Sequence, residues 1–221
     1  MVRYVAGIDE AGRGPVIGPM VIAAVVVRED KLDGLSSMGV KDSKKLSPSR
    51  RRELFEAIKE WVDEVAVLKL SPEVVGDPNS NLNELEVRSF AKVLNSLSIK
   101  PSVIYADAAD VDAKRFGRAL RNNLSYDAVV IAEHRADDRY PVVSAASIVA
   151  KVIRDHEVEK LREEYGDLGS GYPSDPRTRK FLEDYLREHG EFPPIVRKSW
   201  KTLEKIRRSV TKLTLDDFIK R

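Results

Sequence analysis

Gly7-Ile8-Asp9-Glu10-Ala11-Gly12-Arg13-Gly14-Pro15 is the stretch on which the reading of this chain turns. Ahead of it, Arg3-Tyr4-Val5-Ala6 has the character of a strand. Behind it, Met20-Val21-Ile22-Ala23-Ala24-Val25-Val26-Val27 is a longer and more apolar one. Two carboxylates therefore stand at a strand end, just before a glycine-rich turn. Successive strand residues point to opposite faces, so Asp9 and Glu10 project alike only if the strand breaks; otherwise one of them looks away. Gly12 and Gly14 supply backbone freedom for a break and for close approach of another segment. Arg13 sets a cation beside the two anions. A solvated turn holding an ion pair is the plain alternative.

Outward from this stretch, Val40 to Leu46 is a polar connection. Ser47-Pro48 then supplies an N-cap with proline at the first helical position, and Leu54, Ile58, Trp61, Val62 and Val65 keep helical spacing. Val65 to Leu70 reads as a strand and Ser71 to Pro78 as an irregular piece. Asn83 with Glu86 forms a capping-box-like helix start, with Leu85, Phe90, Val93, Leu94 and Leu97 as its apolar stripe. Ser102 to Ala106 is a compact strand ending at Asp107. A helix follows over Asp110 to Asn123, with Asp110 as cap, Asp112 on the solvated face and Val111, Phe116 and Leu120 near helical spacing. Ala128 to Ala132 is a further strand, closed by Glu133-His134-Arg135-Ala136-Asp137-Asp138, and Val142 to Tyr165 reads as a long helix. After a loop, Asp175 caps the next helix, Pro176 starts it and Gly190 ends it. Sequential strands followed by alternating strand and helix predict the α/β class, a mixed sheet flanked by helices.

The chain has 221 residues, enough for one large domain with a small extension. Its hydrophobic content of 42% supports a core, while no apolar run reaches the length of a membrane span. No signal-peptide pattern opens it, so the expected location is the cytoplasm. Cysteine is absent, which excludes a disulfide framework and a thiolate metal site. Glutamine is absent too and 33% of residues are charged, a bias associated with heat-adapted proteins. The net charge of +2 does not announce nucleic acid, but residues 191–221 carry nine Lys/Arg against four Asp/Glu, a basic end.

Asp9, Asp107 and Asp137 each fall at or just beyond the C-terminal end of a predicted strand. If those strands are parallel neighbours, the three converge with Glu10 on one sheet edge. Asp138 is adjacent to Asp137, and spacing does not choose between them. Converging acids raise one another's pKa unless cations lie between them. Hard divalent ions with oxygen ligands suit such a cluster, and two of them support in-line phosphoryl displacement. A lone Asp107 would ordinarily be a capping or turn residue.

Five motifs, in order, resemble ribonuclease HII, the type 2 ribonucleases H, in its archaeal branch. They are the run at 7–15, Asp42-Ser43-Lys44-Lys45-Leu46, Tyr105-Ala106-Asp107, Val143-Ser144-Ala145-Ala146-Ser147-Ile148-Val149-Ala150-Lys151, and Gly169-Ser170-Gly171-Tyr172-Pro173-Ser174-Asp175-Pro176. The resemblance implies an RNase H-like catalytic domain over 1–190, a basic helical C-terminal region over 191–210 and a tail over 211–221. It implies Mg²⁺- or Mn²⁺-dependent cutting of the RNA strand in RNA–DNA hybrids and at ribonucleotides embedded in duplex DNA. Products would carry 5′-phosphate and 3′-hydroxyl ends. The family's four metal-binding acids map onto Asp9, Glu10, Asp107 and Asp137, the last being the first Asp after His-Arg-Ala. Its glycine-arginine-glycine element maps onto Gly12, Arg13 and Gly14, whose backbone is expected to feel the ribose 2′-hydroxyl. Its junction tyrosine maps onto Tyr172. His134, His156 and His189 read as surface residues.

Ser144, Ser147 and Lys151 share one helix face. They either contact phosphate or pack the helix on the sheet, with Lys151 pairing to Asp155. Lys44 and Lys45 either grip the duplex backbone or sit in a solvated loop. Trp200 reads as an anchor for the last helix. Lys212-Leu213-Thr214-Leu215-Asp216-Asp217-Phe218-Ile219 resembles a sliding-clamp-binding peptide, with Leu215, Phe218 and Ile219 as plug, although Lys212 replaces the usual glutamine and Ile219 a second aromatic. A short terminal helix folding back is the alternative. Nothing in the sequence requires more than a monomer. Two rival classes are weaker. An actin-like ATPase needs a second phosphate loop that this chain lacks, and a non-catalytic clamp recruiter leaves the four acids unexplained.

Overall fold

The computed structural model describes residues 2–40 and 46–219, with side chains through residue 211. Lys44 and Lys45, and the side chains of Leu215, Phe218 and Ile219, therefore lie outside the described residues. By contact, the chain divides into two compact units. The first takes Met1–Ala11, Val21–Lys69 and Asn81–Asp155; the second takes Gly12–Met20, Leu70–Ser80 and His156–Arg221.

In the first unit, strands β1 (Tyr4–Ala11), β2 (Met20–Arg28), β3 (Glu64–Leu70), β4 (Val103–Asp107) and β5 (Val129–Glu133) form one sheet in the order β3-β2-β1-β4-β5. β1 lies antiparallel to β2, and parallel to β4, which is parallel to β5. The sheet is mixed, as the sequence predicts. Strands β1 and β2 read as continuous apolar runs because both faces are covered. On one face Val5, Val25 and Val27 join Val142, Ala145, Ala146 and Val149 in a single core. The latter four come from α7 (Pro141–Tyr165), whose first part belongs to this unit. Alanines at 145, 146 and 150 let that helix lie close to the sheet. Gly7 brings it closer still: a Cβ there would sit 2.3 Å from the Val142 backbone.

The opposite core uses α4 (Leu82–Ser96) and α5 (Ala113–Asn122). Phe90 and Phe116 meet edge to face at 5.5 Å, and Ile104, Ala106, Leu94 and Leu120 are buried. Helix α2 (Pro48–Trp61) starts where Ser47 and Pro48 place it, with the Ser47 side chain accepting from Arg50 N. α1 (Leu32–Ser37) closes against α2, since a Cβ at Gly34 would meet the Trp61 ring at 2.2 Å.

Three local expectations need correcting. Ser71 caps a one-turn helix, α3 (Pro72–Val75), where an irregular piece was expected. The cap of α4 is Asn81, which accepts from Asn83 N and Glu84 N, so Asn83 and Glu86 form no capping box and Glu86 is fully buried. At α5 the cap moves from Asp110 to Asp112. Asp112 caps the helix through Arg115 N, while buried Asp110 accepts two bonds from the Arg115 guanidinium, at 2.6 and 2.7 Å. Val111, read at helical spacing with Phe116 and Leu120, precedes the helix and is 94% exposed.

In the second unit, α8 (Pro176–His189) begins at the Asp175 cap and stops at left-handed Gly190, as predicted. With α9 (Lys201–Ile219) it encloses a core of Val16, Ile17, Leu168, Leu182, Ile195 and Ile206. Three chain segments interlace there. Val16 N and Ile17 N both donate to Gly171 O, Gly18 N donates to Ile195 O, and Arg197 N donates to Val16 O. Among the described residues, no helix is long and apolar enough to cross a membrane.

Candidate active site

β1 stays paired with β2 through Ala11, so the strand does not break at the acids. Alternation starts the Asp9 and Glu10 side chains toward opposite faces, yet the Glu10 carboxyl comes round to interact directly with that of Asp9. Asp9 shares its face with Val5 and Gly7, the face covered by α7. The parallel neighbour β4 ends at Asp107, and the next strand, β5, leads through a left-handed residue, Arg135 (φ 57°), into α6 (Ala136–Arg139), which carries Asp137. Ala136 N donates to Asp107 Oδ1 at 3.0 Å, fixing the two segments together. Carboxylate oxygens of Asp9, Asp107 and Asp137 lie within 4.8 Å of one another. Asp9 and Asp137 are buried, and Asp107 is half-buried.

Burial, and then the Asp107 charge, push the Asp9 carboxyl up to about 7; the Ser147 hydroxyl, Lys151 and the Glu10 N–H pull the other way. The last of these donates to Asp9 Oδ1 at 2.7 Å. Glu10 is held well above the ordinary carboxylate range by burial, then by the charges of Asp9, Glu86 and Asp107. Its Oε2 is buried without a hydrogen-bond partner. An all-oxygen donor set, repelling itself and with one acceptor left over, fits a hard divalent cation better than any soft metal.

Ser147 and Lys151 belong to this cluster, with Lys151 Nζ donating to Ser147 Oγ, one turn away on α7. Lys151 does not take Asp155 as its pair; Arg51 does, at 3.4 Å. Ser144 is fully buried, its hydroxyl donating to Val40 O. Glu86 is the acid that pattern reading missed. It precedes Phe90 by four and Val93 by seven, so it falls on the buried stripe, and a carboxylate on that stripe is the signal.

Gly12, Arg13, Gly14 and Tyr172, expected at the substrate, lie in the second unit. Gly12 has φ +84°, a conformation that disfavours a side chain. Tyr172 is 44% exposed, and its ring edge would lie 3.4 Å from a Cβ at Gly14. The loop carrying Tyr172 is set by glycines at positive φ (Gly169 and Gly171) and by Asp175. The Asp175 carboxyl is lowered to about 2, chiefly by hydrogen bonds from Ser170 and then from Arg177 N. Trp200 is an anchor, as read: it packs on the unit's core and donates Nε1–H to Gly14 O at 3.1 Å. His134 is exposed, with its ring nitrogens 3.0 and 3.2 Å from Ala108 O and Val111 O.

Against known proteins, a family model described as Ribonuclease HII matches residues 6–203. Ribonuclease HII of Thermococcus kodakarensis is 65% identical over 206 residues, covering 93% of this chain and 90% of that protein. The crystal structure of ribonuclease H2 from Pyrococcus horikoshii superposes with a TM-score of 0.91 at 52% identity, covering 95% of this chain and 99% of that one. The structure of a PCNA:RNase HII complex from Archaeoglobus fulgidus matches with a TM-score of 0.84 at 45% identity, over 92% and 96% of the two chains.

Proposed function

Because the chain belongs to the ribonuclease HII family, and is thereby a ribonuclease H and an endonuclease, we propose that it acts on two substrates. One is the RNA strand of RNA–DNA hybrids; the other is a ribonucleotide embedded in duplex DNA. Each cut leaves a 5′-phosphate and a 3′-hydroxyl. The observation that carries the reading is the cluster of Asp9, Asp107 and Asp137, three acids from β1, β4 and α6 whose oxygens lie within 4.8 Å.

Those three, with Glu10, would hold Mg²⁺ or Mn²⁺, two ions in the active complex. Bound there, divalent cations supply a more acidic water for attack on phosphorus and neutralise the departing 3′-oxygen. The chain's own groups do the rest. Asp9 is the shared centre of the cluster, and Ser147 and Lys151 hold its carboxylate in place and favour its ionised form. The Ala136 N–H orients Asp107. Glu10 brings a further carboxylate beside Asp9. The Gly12-Arg13-Gly14 backbone senses the 2′-hydroxyl, and Tyr172 packs on the sugar at the junction. Lys44 and Lys45 grip the duplex backbone.

The test is Asp9→Asn, which keeps the shape and removes the charge. Cleavage of a duplex with one ribonucleotide falls on the order of 10³-fold in Mg²⁺, while hybrid binding by fluorescence anisotropy stays within about twofold. Wild-type cleavage by this variant would remove the metal reading.

We further propose that the tail, residues 211–221, docks a sliding clamp through Leu215, Phe218 and Ile219, with the enzyme acting as a monomer in the cytoplasm. Support comes from the aliphatic, acidic and Phe-Ile pattern and from the PCNA complex of the Archaeoglobus fulgidus protein. Deleting residues 212–221 abolishes clamp association in a pull-down and leaves hydrolysis unchanged; retained association refutes the motif.

A further inference from the structure

Arg197 is fully buried, an expensive place for a permanent cation unless every donor finds an acceptor. Its acceptors are backbone carbonyls far away in sequence. Nη2 donates to Gly12 O at 2.6 Å, Nη1 to Arg13 O at 2.9 Å and Nε to Gly18 O at 3.0 Å. Its guanidinium carbon also lies 5.1 Å from the Trp200 ring centroid, and Trp200 in turn takes Gly14 O. The carbonyls of Gly12, Arg13 and Gly14, three consecutive residues, are thus all gathered by two side chains of one short segment. That segment is itself locked. Arg197 N donates to Val16 O and Ser199 N to Gly76 O, and a Cβ at Gly76 would lie 2.6 Å from Arg197 Cα.

The peptide geometry gives this a direction. The described peptide bonds are trans. In a trans unit the carbonyl and the following N–H point to opposite sides. Drawing the Gly12 and Arg13 carbonyls to the guanidinium therefore turns the N–H groups of Arg13 and Gly14 to the other side of the loop. The third carbonyl precedes Pro15, which has no N–H. The result is a loop with its acceptors spent inward and two consecutive donors presented together outward.

We infer that Arg197, assisted by Trp200, is a positioning residue for ribonucleotide discrimination: it fixes the peptide planes of Gly12-Arg13-Gly14 so that their N–H groups meet the ribose 2′-oxygen. The inference rests on the proposed role of that loop as the ribose sensor. Arg197 itself touches no substrate; its effect is on selectivity and not on the hydrolytic step. A lysine cannot replace it, because one ammonium does not span three carbonyls as a planar fork does.

The test compares dissociation constants, in EDTA so that nothing is cut, for a duplex with one ribonucleotide and the same duplex in all-deoxy form. The ratio of the two is the readout, since a loss of folded protein changes the active concentration and leaves the ratio alone. Three full-length variants are compared with wild type. Gly12→Ala tests the sensor itself. Arg197→Lys keeps the charge and loses the fork. Trp200→Phe keeps the ring beneath Arg197 and loses the bond to Gly14 O. The expected result is that Gly12→Ala erases the preference, Arg197→Lys lowers it roughly tenfold and Trp200→Phe roughly threefold. If Arg197→Lys fails to fold, Trp200→Phe decides. If Gly12→Ala erases the preference while the folded Arg197 and Trp200 variants keep it, the inference is overturned and the sensor reading stands. If Gly12→Ala also keeps it, the sensor reading falls and takes the inference with it.

Discussion

Asp9, Asp107 and Asp137 are like charges brought within 4.8 Å, whereas the loop from Gly12 to Gly18 is a set of carbonyl dipoles drawn to one guanidinium. Both are buried polar clusters, yet they are satisfied differently. Arg197 closes its network from inside the protein. The acids leave theirs open: Asp9 is driven up to about 7 and Glu10 Oε2 has no partner. The contrast separates a structural polar core, complete when folded, from a site whose chemistry waits for something from solution.

The sharpest way to break the contrast is Asp107→Asn. Asparagine still accepts from Ala136 N through Oδ1, so the geometry survives while one charge goes. Cleavage in Mg²⁺ falls about 10²–10³-fold. Without metal the variant melts higher than wild type at pH 8, by about 2–4 °C for each kcal/mol of repulsion removed. A variant both less active and less stable in EDTA would place Asp107 in the closed kind of network.

Next in size is the pH response of the metal-free protein. Asp9 has a folded value of about 7 against an ordinary 3.8, so between those values the unfolded chain releases its proton first. Stability in EDTA therefore falls as pH rises from about 4 to about 7, then levels. Added Mg²⁺ favours the ionised acids, so its stabilising shift is larger at pH 8 than at pH 5. Melting curves at both pH values, with and without Mg²⁺, check this; an equal shift at both would count against the cluster as the binding site.

The smallest effect has the opposite sign and belongs to an acid whose partners are all supplied by the fold. Asp175, lowered to about 2 by Ser170 and Arg177 N, contributes stability that is present above pH 3.8 and lost as pH falls toward 2. Asp175→Asn keeps a helix cap and removes that acid-limb loss, which urea midpoints between pH 2.5 and 5 would register. An unchanged acid limb would mean that the charge of Asp175 adds nothing to its cap.

Much of this was legible beforehand because its signals are local. Ser47-Pro48 and Asp175-Pro176 carry their capping chemistry within a few residues, and Gly190 marks a helix end wherever it occurs. The acids were legible as strand-end residues, although their gathering depends on β1, β4 and β5 being parallel neighbours, which periodicity does not encode. Arg197 was not legible. In the sequence it is one more cation in a basic stretch, and the carbonyls that justify its burial lie some 180 residues earlier. The cap of α5 fell to Asp112 and not Asp110 for a related reason. Either can cap α5 by spacing, and only the packing of Arg115 over Asp110 decides.

Gly7 has no chemistry to perform, yet its position is closed to every L-side chain, because even a methyl group would fall 2.3 Å from the Val142 main chain. A saturation scan across β1 scored by nuclease activity would show a dead column at position 7 beside the one at Asp9. Only melting data would tell the steric column from the catalytic one: substitutions at Asp9 leave a protein that still melts cooperatively, while those at Gly7 wedge helix from sheet.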